Sequence, residues 1–270
     1  MTAPLLSARL RQGAGIARSL IIYWRPGRQR SLRRLYADFL GPGDLAFDVG
    51  AHLGDRTAAF QALGARVVAL EPQPDLYRWL ARLVGARPGV TLLPRAAGAA
   101  PGEAELAVSE TNPTVSTLAR EWRATIGVRN PGFRDVRWES RQRVTVTTLD
   151  ALIAEHGTPR FCKIDVEGFE AEVLAGLSTP IAGLSMEFVA GALEVAEGCV
   201  TRLVALGDYR FNVIEGERRA FRWDAWRTPQ ATLEWLAQGA DGLASGDLYA
   251  RLVTPNSVPT SAPPPPEPTP

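Results

Sequence analysis

The chain has 270 residues, a formal net charge of +1, and 46% hydrophobic against 22% charged residues, a balance that excludes a chain disordered throughout. Its best uninterrupted apolar run, Leu20-Ile21-Ile22-Tyr23-Trp24, falls far short of the roughly 18–20 residues of a membrane span. The two cysteines, Cys162 and Cys199, supply neither a disulfide framework nor a zinc site, and the neutral total argues against a generally basic nucleic-acid binder.

The neutral total hides an asymmetry. Residues 1–40 carry eight arginines (9, 11, 18, 25, 28, 30, 33 and 34) against Asp38, a local charge of +7, so the remainder sums to −6. This stretch has no small-residue cleavage site after its apolar segment, so no secretory signal is expected and the chain is expected to be cytoplasmic. It reads as an Arg-rich helical extension packed on the main domain with its guanidinium heads in water. The alternative is a basic surface for an anionic lipid or membrane, a nucleotide-sugar phosphate or another polyanion.

From residue 41 onward, apolar runs of strand length alternate with helical patterns. The runs are Leu45–Val49, Arg66–Leu70, Val90–Leu93, Val144–Thr148, Phe161–Val166, Leu184–Val189 and Tyr209–Ile214. Helical patterns fall at Arg56–Leu63, Asp75–Val84, Phe169–Leu177 and Leu193–Leu206. Continuous rather than alternating apolar strands predict an α/β fold with a doubly wound, mostly parallel sheet covered on both faces. The domain is expected to span 41–253. Residues 98–143, polar and Arg-rich with Trp122 and Trp138, read as an insertion over the carboxyl ends of the strands. Residues 254–270, with Pro263–Pro266 consecutive, read as a Pro-rich disordered tail.

The strongest local signal is Asp48-Val49-Gly50-Ala51-His52-Leu53-Gly54-Asp55-Arg56-Thr57, directly between a strand and a helix. Gly50 permits a tight turn with close ligand approach, and Gly54 opens a helix at the cleft. The loop lacks both the three-glycine dinucleotide fingerprint and the lysine of a phosphate loop. The next strand ends in Glu71, 21 residues after Gly50, where a carboxylate accepts hydrogen bonds from ribose hydroxyls. Together these residues predict a nucleoside cofactor with a free ribose.

DVGAHLG, then VVALEPQP, TLDAL at 148–152, KIDVEGFEAEVLAG at 163–176 and SMEF at 185–188 resemble, in order and spacing, the FkbM family of S-adenosylmethionine-dependent methyltransferases. The resemblance covers roughly residues 41–215, and KIDVEG is its most diagnostic part. It implies a seven-stranded, class I (Rossmann-like) sheet and methyl transfer from S-adenosylmethionine, usually to an oxygen of a sugar, glycan or secondary metabolite. By matched position it assigns the cofactor to Asp48, Gly50, His52, Gly54 and Thr57, to Glu71 and Pro72, to Ala97 and Ser116, and to Asp165. Asn112 and Thr114 fall in the same polar stretch as Ser116. Many class I methyltransferases read the adenine with an acid or amide after the third strand. Pro94-Arg95-Ala96-Ala97-Gly98, which the resemblance places beside the adenine, contains neither, so the contact is either missing or made by the backbone.

In Phe161-Cys162-Lys163-Ile164-Asp165-Val166-Glu167-Gly168, an apolar strand ends in two acids. Lys163 is the chain's single lysine; it alternates with Asp165 and shares its face, so an ion pair or a role in orienting the acceptor is expected. Methyl transfer to a hydroxyl needs alignment and removal of one proton. The catalytic candidates are Asp165, Lys163, Glu187 and Glu167, with His52 as a further base candidate read chiefly as a loop residue. Three clustered carboxylates also permit a divalent metal, which is not the favoured reading. Glu170 reads as a helix-start acid. Phe221, Trp223, Trp226 and Trp235 read as a packing cluster, with sugar stacking as the alternative.

Two other functions compete. A nucleic-acid (RNA) methyltransferase is supported only by the basic arm, and the D/N-P-P-Y/F tetrapeptide of base N-methyltransferases is absent. A catalytically inactive cofactor-binding interaction module conflicts with intact acids at 165, 167 and 187. The expected partner is a small-molecule or glycan acceptor.

Overall fold

In the computed structural model the described residues are 13 and 15–253. The Pro-rich tail and Arg9 and Arg11 lie outside them. Residues 15–23 are helical, and α1 (Arg28–Tyr36) follows. Leu32, Leu35 and Tyr36 of α1 are buried. Tyr36 meets Phe60 and Phe161, and Phe39 meets Phe161 and Tyr249, in an aromatic seam with centroids 4.7–5.6 Å apart. These side chains pack the described part of the arm against the sheet and its helices. Arg18, Arg25, Arg30, Arg33 and Arg34 are exposed, but Arg28 departs from the expectation of solvated heads: it is 4% exposed, because two carboxylates neutralise it.

The main sheet is built from β1 (Leu45–Val49), β2 (Arg66–Leu70), β3 (Val90–Leu93), β7 (Phe161–Ile164), β8 (Gly183–Val189), β9 (Tyr209–Glu215) and β10 (Ser245–Leu252). Their spatial order is β3-β2-β1-β7-β8-β10-β9. All neighbours run parallel except β10, which is antiparallel to both β8 and β9. The covering helices are α2 (Asp55–Ala62), α3 (Pro74–Val84), α5 (Leu149–His156), α6 (Glu170–Ala175), α7 (Leu193–Leu206) and α8 (Pro229–Ala237). The central strands are continuously apolar because helices cover both faces; all five residues of β1 are buried.

A second, three-stranded sheet has the order β4-β6-β5, from β4 (Arg95–Ala97), β5 (Gly102–Val108) and β6 (Ser140–Thr147). This corrects the expected strand at 144–148, which belongs to the small sheet. Its place among the seven main strands is taken by β10. Ser245, Gly246, Asp247 and Arg251 break the apolar run of β10, yet its inclusion between two strands buries Gly246 through Ala250. The insertion also carries α4 (Arg120–Arg129), whose buried Trp122 and Ile126 dock it. No helix among the described residues is long and apolar enough to cross a membrane.

Across the middle of the main sheet runs a register row of polar residues: Asp48, Lys163, Ser185, Tyr249 and Asn212 are successive strand partners. Each is at most 1% exposed. Buried polar groups are costly unless partnered. Thr57 Oγ1 donates to Asp48 Oδ2 (2.5 Å), Lys163 Nζ to Asp165 Oδ2 (2.5 Å), and Asn212 Nδ2 to the Trp223 carbonyl (2.8 Å).

Candidate functional site

The parallel strands β1, β2, β7 and β8 deliver their carboxyl ends to one cavity. At its β1–β2 side, the loop after β1 turns on Gly50, whose φ is +83° and where a Cβ would overlap the Asp165 carbonyl oxygen. Only glycine lets this loop pass so close to the end of β7. The Glu71 carboxylate accepts hydrogen bonds from the His52 amide (3.0 Å) and the Gln73 amide (2.8 Å). It faces the cavity, and burial pushes its pKa up to about 8, against the lowering effect of those two amides. His52 has φ 51°, a left-handed conformation costing about 1–2 kcal/mol in a non-glycine residue. Its imidazole, whose edge meets Tyr23, is held neutral by burial, which lowers its pKa to about 4.

On the β7–β8 side, Asp165, Glu167 and Glu187 converge. One carboxylate oxygen from each lies within 4.8 Å of the other two, a spacing that fits a divalent cation. The Lys163 ammonium, 1% exposed, already pairs with Asp165 at 2.5 Å. Burial disfavours the Asp165 charge, but Lys163 and Arg56 outweigh it and hold the carboxyl below its ordinary range. Glu167 and Glu187 go the other way: burial first, then the Asp165 charge, pushes both well above the ordinary carboxylate range. One ionised acid and two poised to hold protons therefore share one end of the cavity.

The loop carrying these acids is fixed from two sides. Gly168, at φ +84°, lies under the Trp122 ring, which would collide with any Cβ there. Glu170 Oε1 accepts from the Val166 amide (3.0 Å) and the Gly168 amide (3.3 Å), so this acid pins the loop as well as starting α6. Burial raises its pKa to about 7. Thr117 Oγ1 donates to the Glu167 carbonyl (2.6 Å), tying the insertion to the same loop.

Of the residues singled out from sequence, Gly50, His52, Glu71, Pro72, Ala97, Thr114, Ser116, Lys163, Asp165, Glu167 and Glu187 line the cavity. Asp48, Gly54, Thr57 and Asn112 do not. Asp48 and Thr57 bond each other behind the loop, Gly54 packs against Leu80 and Val84, and the Asn112 side chain accepts from Thr114 Oγ1 (2.7 Å). Ser116 is held by Gln73, whose Nε2 also donates to the Pro113 carbonyl (3.1 Å). The aromatic group packs away from the cavity: Trp223 meets Trp235 at 5.1 Å, and Phe221 meets Trp226 at 5.2 Å. Both cysteines are buried and free.

Sequence reasoning missed Tyr23, Arg56, Glu217 and Asp247, which also line the cavity. Arg56 stood inside the glycine loop motif and was open to notice. Asp247 was hidden in the interrupted pattern of β10, and Tyr23 and Glu217 arrive from segments distant in sequence.

The family model described as the methyltransferase FkbM domain matches residues 48–241. Tyr23 and Asp247 thus lie outside the matched span. The chain is similar to the hexuronic acid methyltransferase AglP of Haloferax volcanii, 25% identical over 179 residues, 66% of this chain and 68% of that protein. Among solved structures it is similar to precorrin-6y C5,15-methyltransferase from Geobacter metallireducens (TM-score 0.44, 11% identity, 84% of this chain and 88% of that one). It is also similar to Aeropyrum pernix fibrillarin in complex with natively bound S-adenosyl-L-methionine (TM-score 0.39, 12% identity, 78% of this chain and 67% of that one).

Proposed function

This chain belongs to the FkbM family of S-adenosylmethionine-dependent methyltransferases, and from that premise we propose that it methylates a hydroxyl oxygen on a sugar or glycan acceptor. The observation that carries the oxygen acceptor is the trio of Asp165, Glu167 and Glu187 at one end of the cavity, with Glu71 across it. The hexuronic acid named for the Haloferax relative supports a sugar acceptor.

The residues present fit the cofactor. Glu71, whose buried carboxylate faces the cavity, would accept hydrogen bonds from the ribose hydroxyls, and Gly50 and Pro72, which line the same cavity, would flank them. Ala97 and Ser116 form the wall beyond. Asp48 and Thr57 would act indirectly, because they bond each other and do not line the cavity. When bound, S-adenosylmethionine supplies a methyl group on a sulfonium that leaves as a neutral thioether.

The chain supplies alignment and proton removal. Lys163 keeps Asp165 ionised, so Asp165 Oδ1 accepts a hydrogen bond from the acceptor hydroxyl and orients its lone pair. Glu187, whose affinity for protons is raised by burial and by Asp165, takes the hydroxyl proton as the new C–O bond forms. Glu167 fixes the second acceptor contact. In this reading no divalent metal is required, because the Lys163 ammonium already supplies a positive charge beside Asp165.

Calorimetric titration of S-adenosylmethionine tests the cofactor reading. Wild type binds, and Glu71→Ala weakens binding at least tenfold; absence of binding to wild type removes the proposal. Mass increase of a uronic acid or neutral sugar glycoside by one methyl, lost in Glu187→Gln, tests the oxygen acceptor.

A further inference from the structure

Beneath the cavity wall formed by Tyr23, three guanidinium groups share two carboxylates. Arg28 Nε donates to Asp55 Oδ2 (2.7 Å) and Arg28 Nη1 to Glu217 Oε2 (2.7 Å). Arg219 Nη2 donates to the same Glu217 oxygen (2.6 Å). Arg56 Nη1 reaches Asp55 at 3.3 Å, and Arg56 Nη2 stands 3.9 Å from Glu217. Arg56 lines the cavity, whereas Arg28 and Arg219 stand behind it.

The network is one anion short. Arg56 Nε, Arg28 Nη2 and Arg219 Nε are all buried without a hydrogen-bond partner, and the Arg28 side chain is only 2% exposed. A buried charged donor left unmatched is costly, so three in one cluster are a specific feature rather than scatter. Asp247 lines the same region but reaches none of these three nitrogens, all of which lack a hydrogen-bond partner. Asp165 does not close the deficit either, since Lys163 takes it.

Tyr23 completes the corner. Its ring meets His52 in an edge-to-face contact (centroids 5.2 Å apart) and carries the Arg28 guanidinium 4.9 Å from its centroid, which fixes its plane at the cavity wall. Burial keeps the phenol protonated, so it can donate. A planar acceptor with two oxygens suits the pair, one oxygen toward the Arg56 guanidinium and the other toward the phenol, since both residues line the cavity.

We propose that Arg56 and Tyr23 form a carboxylate-binding corner of the cavity, held in place by Arg28, Asp55 and Glu217; this rests on the methyltransferase reading above. Two carboxylates reach such a cavity: the α-carboxylate of the cofactor, and the carboxylate of an acidic sugar acceptor. Both use the same chemistry, and the test separates them.

Full-length wild type, Tyr23→Phe and Arg56→Gln are titrated with S-adenosylmethionine and with decarboxylated S-adenosylmethionine. A second pair of probes, p-nitrophenyl glucuronide and p-nitrophenyl glucoside, is titrated in the presence of S-adenosylhomocysteine. If the corner takes the cofactor, wild type prefers the carboxylated cofactor at least tenfold; Arg56→Gln abolishes that preference and Tyr23→Phe cuts it at least threefold. If it takes the acceptor, the same losses fall on the glucuronide-over-glucoside preference, with cofactor affinity unchanged. Tyr23→Phe keeps the packing of the ring, so it decides the matter even if Arg56→Gln does not fold. Wild-type cofactor binding with both preferences within twofold of wild type in Tyr23→Phe overturns the corner alone. Failure of wild type to bind either cofactor overturns the methyltransferase reading, and the corner with it.

Discussion

Lys163 Nζ stands 2.5 Å from Asp165 Oδ2, with the ammonium 1% exposed and the carboxylate 28% exposed. The pair joins the polar row inside the sheet to the acid cluster at its edge, so a core lysine sets the charge of a surface-facing acid. The Asp165 charge in turn is what raises the proton affinity of Glu167 and Glu187, after burial itself.

Lys163→Met tests this coupling. It leaves Asp165 without its nearest cation, and breaking a buried pair on one side costs about 3–5 kcal/mol of stability. Lys163 lowers the proton affinity of Glu187 directly, but the Asp165 charge it sustains raises that affinity by more; its loss lets Asp165 take up a proton and so moves the acid limb of the pH–rate profile to lower pH. A stopped-time methyl-transfer assay across pH, at saturating cofactor, checks the direction. An acid limb moved to higher pH contradicts the coupling.

Glu187→Gln removes the proposed base. Turnover falls about 10²–10⁴-fold, the range of general base catalysis, with cofactor affinity within threefold. Wild-type turnover rises with pH through a limb above the ordinary carboxylate range, because the base must be ionised. The variant lacks that limb.

Glu71 makes cofactor-free stability depend on pH. Its pKa is about 8 in the folded chain against an unfolded value of 4.5, so the folded state holds more protons between those values. Stability therefore falls as pH rises from 4.5 to 8. Glu170, raised to about 7, adds in the same direction. Thermal melts across this window show the decline, and Glu71→Gln makes it shallower. The cofactor reading adds an opposite trend: ribose hydroxyls favour the ionised carboxylate, so affinity for S-adenosylmethionine increases over the same window.

Chelation separates the two readings of the acid trio. With Lys163 on Asp165, turnover after exhaustive EDTA treatment stays within twofold of the untreated enzyme. A loss restored by Mg²⁺ or Mn²⁺ assigns the 4.8 Å trio to a metal instead.

Much of this was legible because strand ends carry their own punctuation. β1, β2, β3 and α7 fall at the expected residues, since each is a continuous apolar run or helical pattern bounded by Gly or Pro. Lys163 and Asp165 were readable as a pair because alternate residues of a strand share a face. Other parts were not. β10 owes its burial to two neighbours rather than to its own pattern, which Asp247 and Arg251 interrupt. The small sheet forms by pairing Glu103 with Thr145 and Glu105 with Arg143, mostly polar positions with little hydrophobic signal. Tyr23 enters the cavity because Trp24 Nε1 bonds the Leu53 carbonyl (3.2 Å), a contact between residues 29 apart. Gly54 and Thr57 were expected against the cofactor, yet their side of the turn faces packing rather than space.

The most direct test of the central claim is transfer of a methyl label from S-adenosylmethionine to carbohydrate. Purified full-length protein is incubated with methyl-labelled cofactor and an extract of its source cells, and products are separated into glycan, small-molecule and RNA fractions. The account predicts label on a sugar oxygen, identified by mass and by an O-methyl carbon resonance, and its disappearance with Glu187→Gln. Label confined to RNA, or carried on carbon or nitrogen, contradicts it.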